Sequence, residues 1–194
     1  MKYYTIIGGV NGVGKSSLTG VLKKQRTDMG MIIDTDMLNA KYNGDRIKGG
    51  KEAVRLINDC LSKGIDFTQE TTLSGKKTLK TIIAAREKDY CIRLFYVAVS
   101  SSEESIRRIA NRVAKGGHNI SDDDVKRRYA NRFDDLLAVL PYCNEAHFYD
   151  NENGFEEVGE YRNGDILFTS EAPPTWLKAV SYTHLRAHET LMNL

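Results

Sequence analysis

Two hydrophobic patterns alternate along the chain, short apolar runs and segments with helical spacing. The apolar runs are predicted to be β-strands and cover Lys2–Gly8, Met31–Asp34, Ile65–Glu70, Cys91–Val99 and His147–Asp150. The segments with helical spacing are predicted to be α-helices and cover Ser16–Met29, Lys51–Lys63, Lys77–Lys88, Glu103–Lys115 and Asp122–Leu140. This order predicts a three-layer α/β domain, in which a parallel sheet carries helices on both faces.

The pattern changes after residue 150. Phe155–Tyr161 and Asp165–Thr169 flank an Asn-Gly pair, which predicts a C-terminal β-hairpin. We expect a single domain over residues 1–180. The segment 181–194 has no clear periodicity and is expected to be a non-native or disordered tail, so its His184 and His188 are left out of the functional reasoning. An authentic frayed terminus is the alternative.

Composition narrows the class of protein. Of the 194 residues, 41% are hydrophobic and 28% charged, which is typical of a globular domain and excludes a disordered or coiled-coil chain. The net charge of +2 argues against a dedicated nucleic-acid binder. No apolar run approaches the roughly 20 residues that span a bilayer, so no membrane partner is expected. The three cysteines are widely spaced, and a cytoplasmic protein is expected.

A phosphate-binding loop follows the first predicted strand. Residues 9–16 read GVNGVGKS and match G-x-x-x-x-G-K-[ST], between a strand and a helix. In this motif the lysine, Lys15, reaches the β- and γ-phosphates, and the Ser16 hydroxyl is the expected Mg²⁺ ligand. Ser17 is placed to hold the α-phosphate. The candidate nucleotide-binding residues are Gly9, Asn11, Gly12, Val13, Gly14, Lys15, Ser16 and Ser17.

Other motifs restrict the type of phosphate-loop protein. The sequence lacks the N-K-x-D stretch by which a GTPase reads guanine, and Leu73-Ser74-Gly75 lacks the rest of a transporter ATPase signature. No predicted strand ends in the paired acids that activate a hydrolytic water. These exclusions leave the small kinases, in which a second substrate accepts the phosphoryl group.

Acidic and hydroxyl side chains end two of the predicted strands. Asp34 and Asp36 close the second strand, and Glu70 closes the third, where Thr71 and Thr72 follow. Parallel strands end at one sheet edge, so these groups are expected beside the phosphate loop. Asp36 is the candidate general base, and Asp34 a supporting or metal-side acid. Glu70 is expected to bind an acceptor hydroxyl or a metal-bound water. The alternatives are that either aspartate caps the next helix and that Glu70 is solvated.

A basic cluster surrounds a double glycine at Gly116-Gly117. Arginines precede the glycines on one predicted helix and follow them on the next, including Arg108, Arg112, Arg128 and Arg132. Two arginine-bearing helices joined by such a hinge predict a lid over residues 112–128. Closure would bring guanidiniums onto the transferring phosphoryl group, whose charge an arginine stabilises. A solvated charged face is the alternative.

Taken together, these segments resemble the zeta toxin family. The resemblance rests on GGVNGVGKSS, IIDTDMLNA, FTQETTLSGK and RIANRVAKGGHNISDDDVKRRYANRF, followed by Tyr149-Asp150-Asn151. It implies a P-loop kinase fold with Mg-ATP as the phosphoryl donor. The acceptor of characterised zeta toxins is a UDP-activated N-acetylamino sugar, phosphorylated on the sugar 3′-hydroxyl. An antitoxin protein is the implied partner.

The resemblance also implies roles for particular residues. The catalytic acid falls on Asp36, the nucleotide lysine on Lys15 and the acceptor-binding glutamate on Glu70. The first lid arginine falls on Arg112, and the second on Arg128, with Arg127 as its competitor. The acceptor stays open, because a kinase for another metabolite or nucleoside fits the same motifs. A nucleotide-dependent switch that acts through a protein partner is the alternative outside the kinases.

Overall fold

The computed structural model describes residues 1–117 and 119–192, with side chains up to residue 186. The predicted hinge residue His118 and the tail residue His188 lie outside these described positions and side chains. The strands of the described chain are β1 Lys2–Gly8, β2 Met31–Asp34, β3 Phe67–Thr71, β4 Tyr90–Ala98, β5 Glu145–Asp150, β6 Glu156–Arg162 and β7 Asp165–Phe168. The helices are α1 Lys15–Gln25, α2 Thr35–Lys41, α3 Arg46–Lys63, α4 Lys76–Arg86, α5 Ser102–Ala114, α6 Asp122–Val139 and α7 Thr175–Met192.

The strands form one sheet in the order β2-β3-β1-β4-β5-β6-β7. The first five pair in parallel, and β6 and β7 add an antiparallel edge. The larger apolar cluster packs α3, α4, α6 and α7 against one face, and the smaller one packs α1 against the other. The predicted α/β class, with helices on both faces and a terminal hairpin, is confirmed.

Strand β4 runs through the middle of the sheet, as its apolar sequence predicts, but it also carries a buried charge. Arg93 is only 3% exposed and donates to Glu145 at 2.5 Å and to Asp28 at 3.0 Å. Its guanidinium also lies over the ring of Tyr3, 4.2 Å from the centroid. Two carboxylates and an aromatic face therefore stabilise a cation that the hydrophobic pattern did not indicate.

Local capping explains where two helices begin. Helix α3 starts five residues before the predicted Lys51, because the Asp45 carboxylate accepts from the amides of Ile47 and Lys48. Helix α2, which the pattern analysis left out except as a capped alternative, begins after Asp34. The Asp34 carboxylate accepts from the amides of Asp36 and Met37. The capping alternative is therefore correct for Asp34.

Helix α7 continues through the segment that the sequence analysis expected to be a non-native or disordered tail. Within this segment His184 is buried, and its Nε2 donates to the carbonyl of Gly164 at 2.7 Å. Its ring packs edge-on against Tyr161. Residues 181–192 are thus helical, unlike the expected tail. The division of the chain at residue 180 stays a prediction.

Candidate active site

The phosphate loop lies between β1 and α1, and its glycines are required by close packing as well as by backbone conformation. Gly9 and Gly12 have φ values of +140° and +84°. A Cβ on Gly9 would lie 2.3 Å from the Val97 carbonyl oxygen, and one on Gly12 would lie 2.4 Å from that of Ser105. Any side chain at either position would clash with β4 or α5. Val13 is buried in the smaller apolar cluster, behind the loop.

Lys15 begins α1, and its side chain turns back over the loop. Its Nζ donates to the carbonyl of Val10 at 3.0 Å. Burial lowers the pKa of Lys15 from its ordinary 10.5 to about 8, although the carboxylates of Glu70, Asp36 and Asp34 oppose this change. An ammonium that is short of solvent and close to acids is suited to receive a strongly anionic ligand.

The acids of the second and third strands meet at one sheet edge, as the strand order requires. Asp34 and Glu70 are register partners of β2 and β3. Glu70 is only 8% exposed, and it accepts from the Ser16 hydroxyl at 2.8 Å. The alternative of a solvated Glu70 is therefore wrong. Burial raises the pKa of Glu70, and the nearby Asp34 carboxylate raises it further.

These groups line a cleft of about 550 Å³. Its lining contains the predicted residues Asn11, Gly12, Gly14, Lys15, Ser16, Ser17, Asp34, Asp36, Glu70, Thr71, Thr72, Arg112 and Arg128. Asp36 is exposed in the first turn of α2. The Thr71 hydroxyl is already engaged, since it pairs with Thr78 and accepts from the amide of Leu73. Thr72 is therefore the better placed of the two threonines to meet a ligand.

The arginines of α5 and α6 fall into separate roles. Arg112 and Arg128 line the cleft, and Arg128 donates to the Asn11 side-chain oxygen at 2.5 Å. Arg127 forms an exposed ion pair with Asp124 at 2.6 Å. Arg132 lies over the rings of two aromatic residues of its own helix. Of the two competitors for the second lid arginine, Arg128 lines the cleft and Arg127 does not, and the assignment stays a prediction.

Arg108 lines the cleft but is held in place by other groups. It donates to Glu104 at 2.5 Å and to the carbonyl of Asn151 at 2.7 Å. These hydrogen bonds join the middle of α5 to the loop after β5. They tie the Arg108 guanidinium to the wall of the cleft.

Sequence reasoning missed several residues on the side of the cleft formed by α2, α3 and α4. Asn39, Arg46 and Lys77 line it there. Asn39 lies in the segment IIDTDMLNA but was given no role there, and Arg46 lies in the first turn of α3, ahead of the predicted start of that helix. Asn151 belongs to the Tyr149-Asp150-Asn151 segment of the family resemblance, which implied no role for it. Its side chain donates to the carbonyl of Val13 at 2.8 Å.

Comparison with known proteins identifies the family and the fold of this chain. The zeta toxin family model matches residues 46–147, just over half of the chain. The chain belongs to the zeta toxin family. A protein of Haemophilus influenzae, described as an uncharacterized protein, is 32% identical to this chain over 126 residues, which cover 62% of this chain and 88% of that protein. The phosphate loop lies outside the matched range and is identified by its own motif.

Solved structures show the fold of this zeta toxin family member in distant proteins. A structure from the PezAT toxin–antitoxin system of Streptococcus pneumoniae has a TM-score of 0.61 at 17% identity, covering all of this chain and 88% of the other. The AvrRxo1-ORF1:ORF2 complex with ATP has a TM-score of 0.69 at 14% identity. That match covers 93% of this chain, which spans 64% of the AvrRxo1 complex chain.

No helix in residues 1–117 and 119–192 is long and apolar enough to cross a membrane.

Proposed function

We propose that the protein is an ATP-dependent phosphotransferase that moves the γ-phosphoryl group of ATP to a hydroxyl of a small acceptor. One observation carries the proposal: Lys15, Asp36, Arg112 and Arg128 come from four separate helices and line the same cleft. A structural glycine turn would not need a carboxylate and two guanidiniums to converge on its lysine. Phosphoryl transfer needs all three kinds of group.

The chemistry assigns each group a task. Lys15 and the loop amides hold the donor phosphates, since the N-terminus of α1 also favours anions. The Asp36 carboxylate accepts the proton of the acceptor hydroxyl. The acceptor oxygen forms a bond to the γ-phosphorus, the bond from that phosphorus to the β-γ bridging oxygen breaks, and ADP leaves. Arg112 and Arg128 stabilise the charge on the equatorial oxygens during transfer.

The residues around Ser16 suit a magnesium ion. The Ser16 hydroxyl contacts Glu70, and Asp34 is the register partner of Glu70 on the neighbouring strand. Hydroxyl and carboxylate oxygens, with water, are the ligands that Mg²⁺ prefers. Ser16 would bind the ion directly, while Glu70 and Asp34 would hold its water ligands. When bound, the ion neutralises charge on the donor phosphates. Because Glu70 contacts Ser16, the expected metal ligand, we assign Glu70 to the metal side of the cleft rather than to the acceptor.

The acceptor side of the cleft supports an anionic acceptor. Arg46 and Lys77 add positive charge there, and Asn39 and Thr72 add hydrogen-bonding groups. A UDP-N-acetylamino sugar, with its diphosphate and hydroxyls, has the complementary chemistry. We therefore propose such a sugar nucleotide as the first acceptor to test, with nucleosides and other metabolites as competitors. Because the PezAT relative belongs to a toxin–antitoxin system, we also propose an antitoxin protein as the partner.

The test is transfer by an Asp36→Asn variant. Purified protein is incubated with Mg-ATP and a panel of sugar nucleotides, nucleosides and sugars, and mass spectrometry detects an acceptor heavier by one phosphate. Loss of the base should lower the transfer rate by about 10² to 10⁴ while ATP affinity changes little. Asp134→Asn, an exposed aspartate of α6, is the matched control. Unchanged transfer by Asp36→Asn would refute the base assignment. ATP-dependent binding of a protein without any phosphorylated acceptor would favour a switch.

A further inference from the structure

Asn151 lies directly after β5, where three elements of the cleft meet. Its backbone amide donates to the carbonyl of Ala98, at the end of β4, at 3.0 Å. Its backbone carbonyl accepts from Arg108 of α5. Its side-chain amide donates to the carbonyl of Val13, in the phosphate loop, at 2.8 Å. Both the backbone and the side chain of Asn151 are therefore engaged, and together they join the phosphate loop to β4 and α5.

The hydrogen bond to the Val13 carbonyl sets the orientation of the peptide group that joins Val13 to Gly14. In a trans peptide the carbonyl and the following N–H point in opposite directions. The Val13 carbonyl faces Asn151, so the Gly14 N–H faces the other side of the loop. Gly14 lines the cleft. Asn151 also packs closely here, since a Cβ on Gly14 would lie 2.6 Å from its Nδ2.

We propose that Asn151 is a positioning residue, which aims the Gly14 amide at the donor phosphates by holding the Val13 carbonyl. This inference rests on the proposed function, because it assumes that the loop binds ATP. Without the side-chain donor, the Val13–Gly14 peptide can rotate, and a phosphate must then restrict that rotation as it binds. The cost falls on the affinity for phosphates and not on the affinity for the nucleoside.

An amide is the suitable side chain for this task. An aspartate at position 151 would have the same size, but its oxygens cannot donate to the Val13 carbonyl. It would also bring a negative charge close to the donor phosphates. We therefore expect Asn151→Asp to weaken ADP and ATP binding more than Asn151→Ala does. If only packing mattered, the smaller alanine would have the larger effect.

The experiment measures ADP, ATP and adenosine binding by wild type, Asn151→Ala and Asn151→Asp, with calorimetry for the nucleotides and equilibrium dialysis for adenosine. A hydrogen bond between neutral groups typically corresponds to about threefold to tenfold in affinity, so Asn151→Ala should bind ADP and ATP about threefold to tenfold more weakly. Asn151→Asp should bind them more weakly still, and adenosine binding should stay constant. Asn153→Asp, an exposed neighbour in the same loop, adds the same charge and should match wild type.

The outcomes separate this inference from the proposed function. A wild-type protein that binds no ATP overturns both. ADP binding by Asn151→Ala within about twofold of a wild type that does bind ATP overturns the positioning role alone. The role is also overturned by an equal loss of adenosine and ADP affinity, or by a loss that Asn153→Asp shares. Thermal unfolding of each variant checks its fold, and Asn151→Asp, which keeps the shape, serves if Asn151→Ala does not fold.

Discussion

Replacing Lys15 by methionine should stabilise the nucleotide-free protein while abolishing its ATP binding. The lysine is partly buried, and burial lowers the pKa of its ammonium from 10.5 to about 8. Since one pH unit in a pKa corresponds to about 1.4 kcal/mol, keeping this group charged at pH 7 costs the fold up to about 3 kcal/mol. Methionine has a similar length and carries no charge.

The net gain is smaller than this upper value, for two reasons. The side chain is partly in contact with solvent, which reduces the cost of its charge. The substitution also removes the hydrogen bond from Nζ to the Val10 carbonyl, which contributes about 1 kcal/mol. We therefore expect Lys15→Met to raise the free energy of unfolding by about 1–2 kcal/mol at pH 7 in urea titrations without nucleotide. At ATP a hundredfold above its dissociation constant, the wild type gains about 2.7 kcal/mol and the order reverses.

The pH dependence tests the electrostatic cause. Below pH 8 the lysine is charged in both the folded and the unfolded chain, so the full cost is present. Between about pH 8 and 10.5 the folded chain loses this proton while the unfolded chain keeps it, and the stability of the wild type rises relative to the variant. The advantage of Lys15→Met should therefore shrink over this range. A variant that is less stable than wild type at pH 7, or an advantage that is constant up to pH 10.5, would refute the reasoning.

Three further substitutions test other parts of the structure. Arg93→Met leaves Glu145 without its buried cation, while Asp28 keeps its pair with Arg26, and should lower the free energy of unfolding by about 1–3 kcal/mol in urea titrations. Asn11→Ala removes the acceptor that holds Arg128 over the cleft; kcat should fall by about tenfold or more, and an unchanged kcat would contradict this role. Gly30→Ala should cost about 3 kcal/mol or more, because φ there is +58° and the new Cβ would lie 1.9 Å from the Asp66 carbonyl oxygen. A thermal midpoint equal to that of wild type would exclude that clash.

Helix ends show where local sequence reasoning fails. The start of α3 was missed because Gly49 and Gly50 interrupt the helical pattern, whereas the Asp45 cap and packing against α2 stabilise a helix through them. Helix α7 was missed because its apolar residues do not follow a clear amphipathic pattern in the sequence. They are buried by tertiary packing, in the larger apolar cluster on one face of the sheet. Trp176, for example, is buried against α6 and donates to Asp150 at 2.8 Å.

The sequence by itself determined the α/β class, the phosphate loop and the acids at the strand ends. These features follow from residue types at short, fixed spacings, and the parallel order then brings strand ends to one edge. Tertiary structure decided which side chains meet there. Arg128 reaches Asn11 across 117 positions, and Asn151 reaches Val13 across 138. Such pairs depend on the packing of helices and loops against the sheet, a property that no local window of sequence contains.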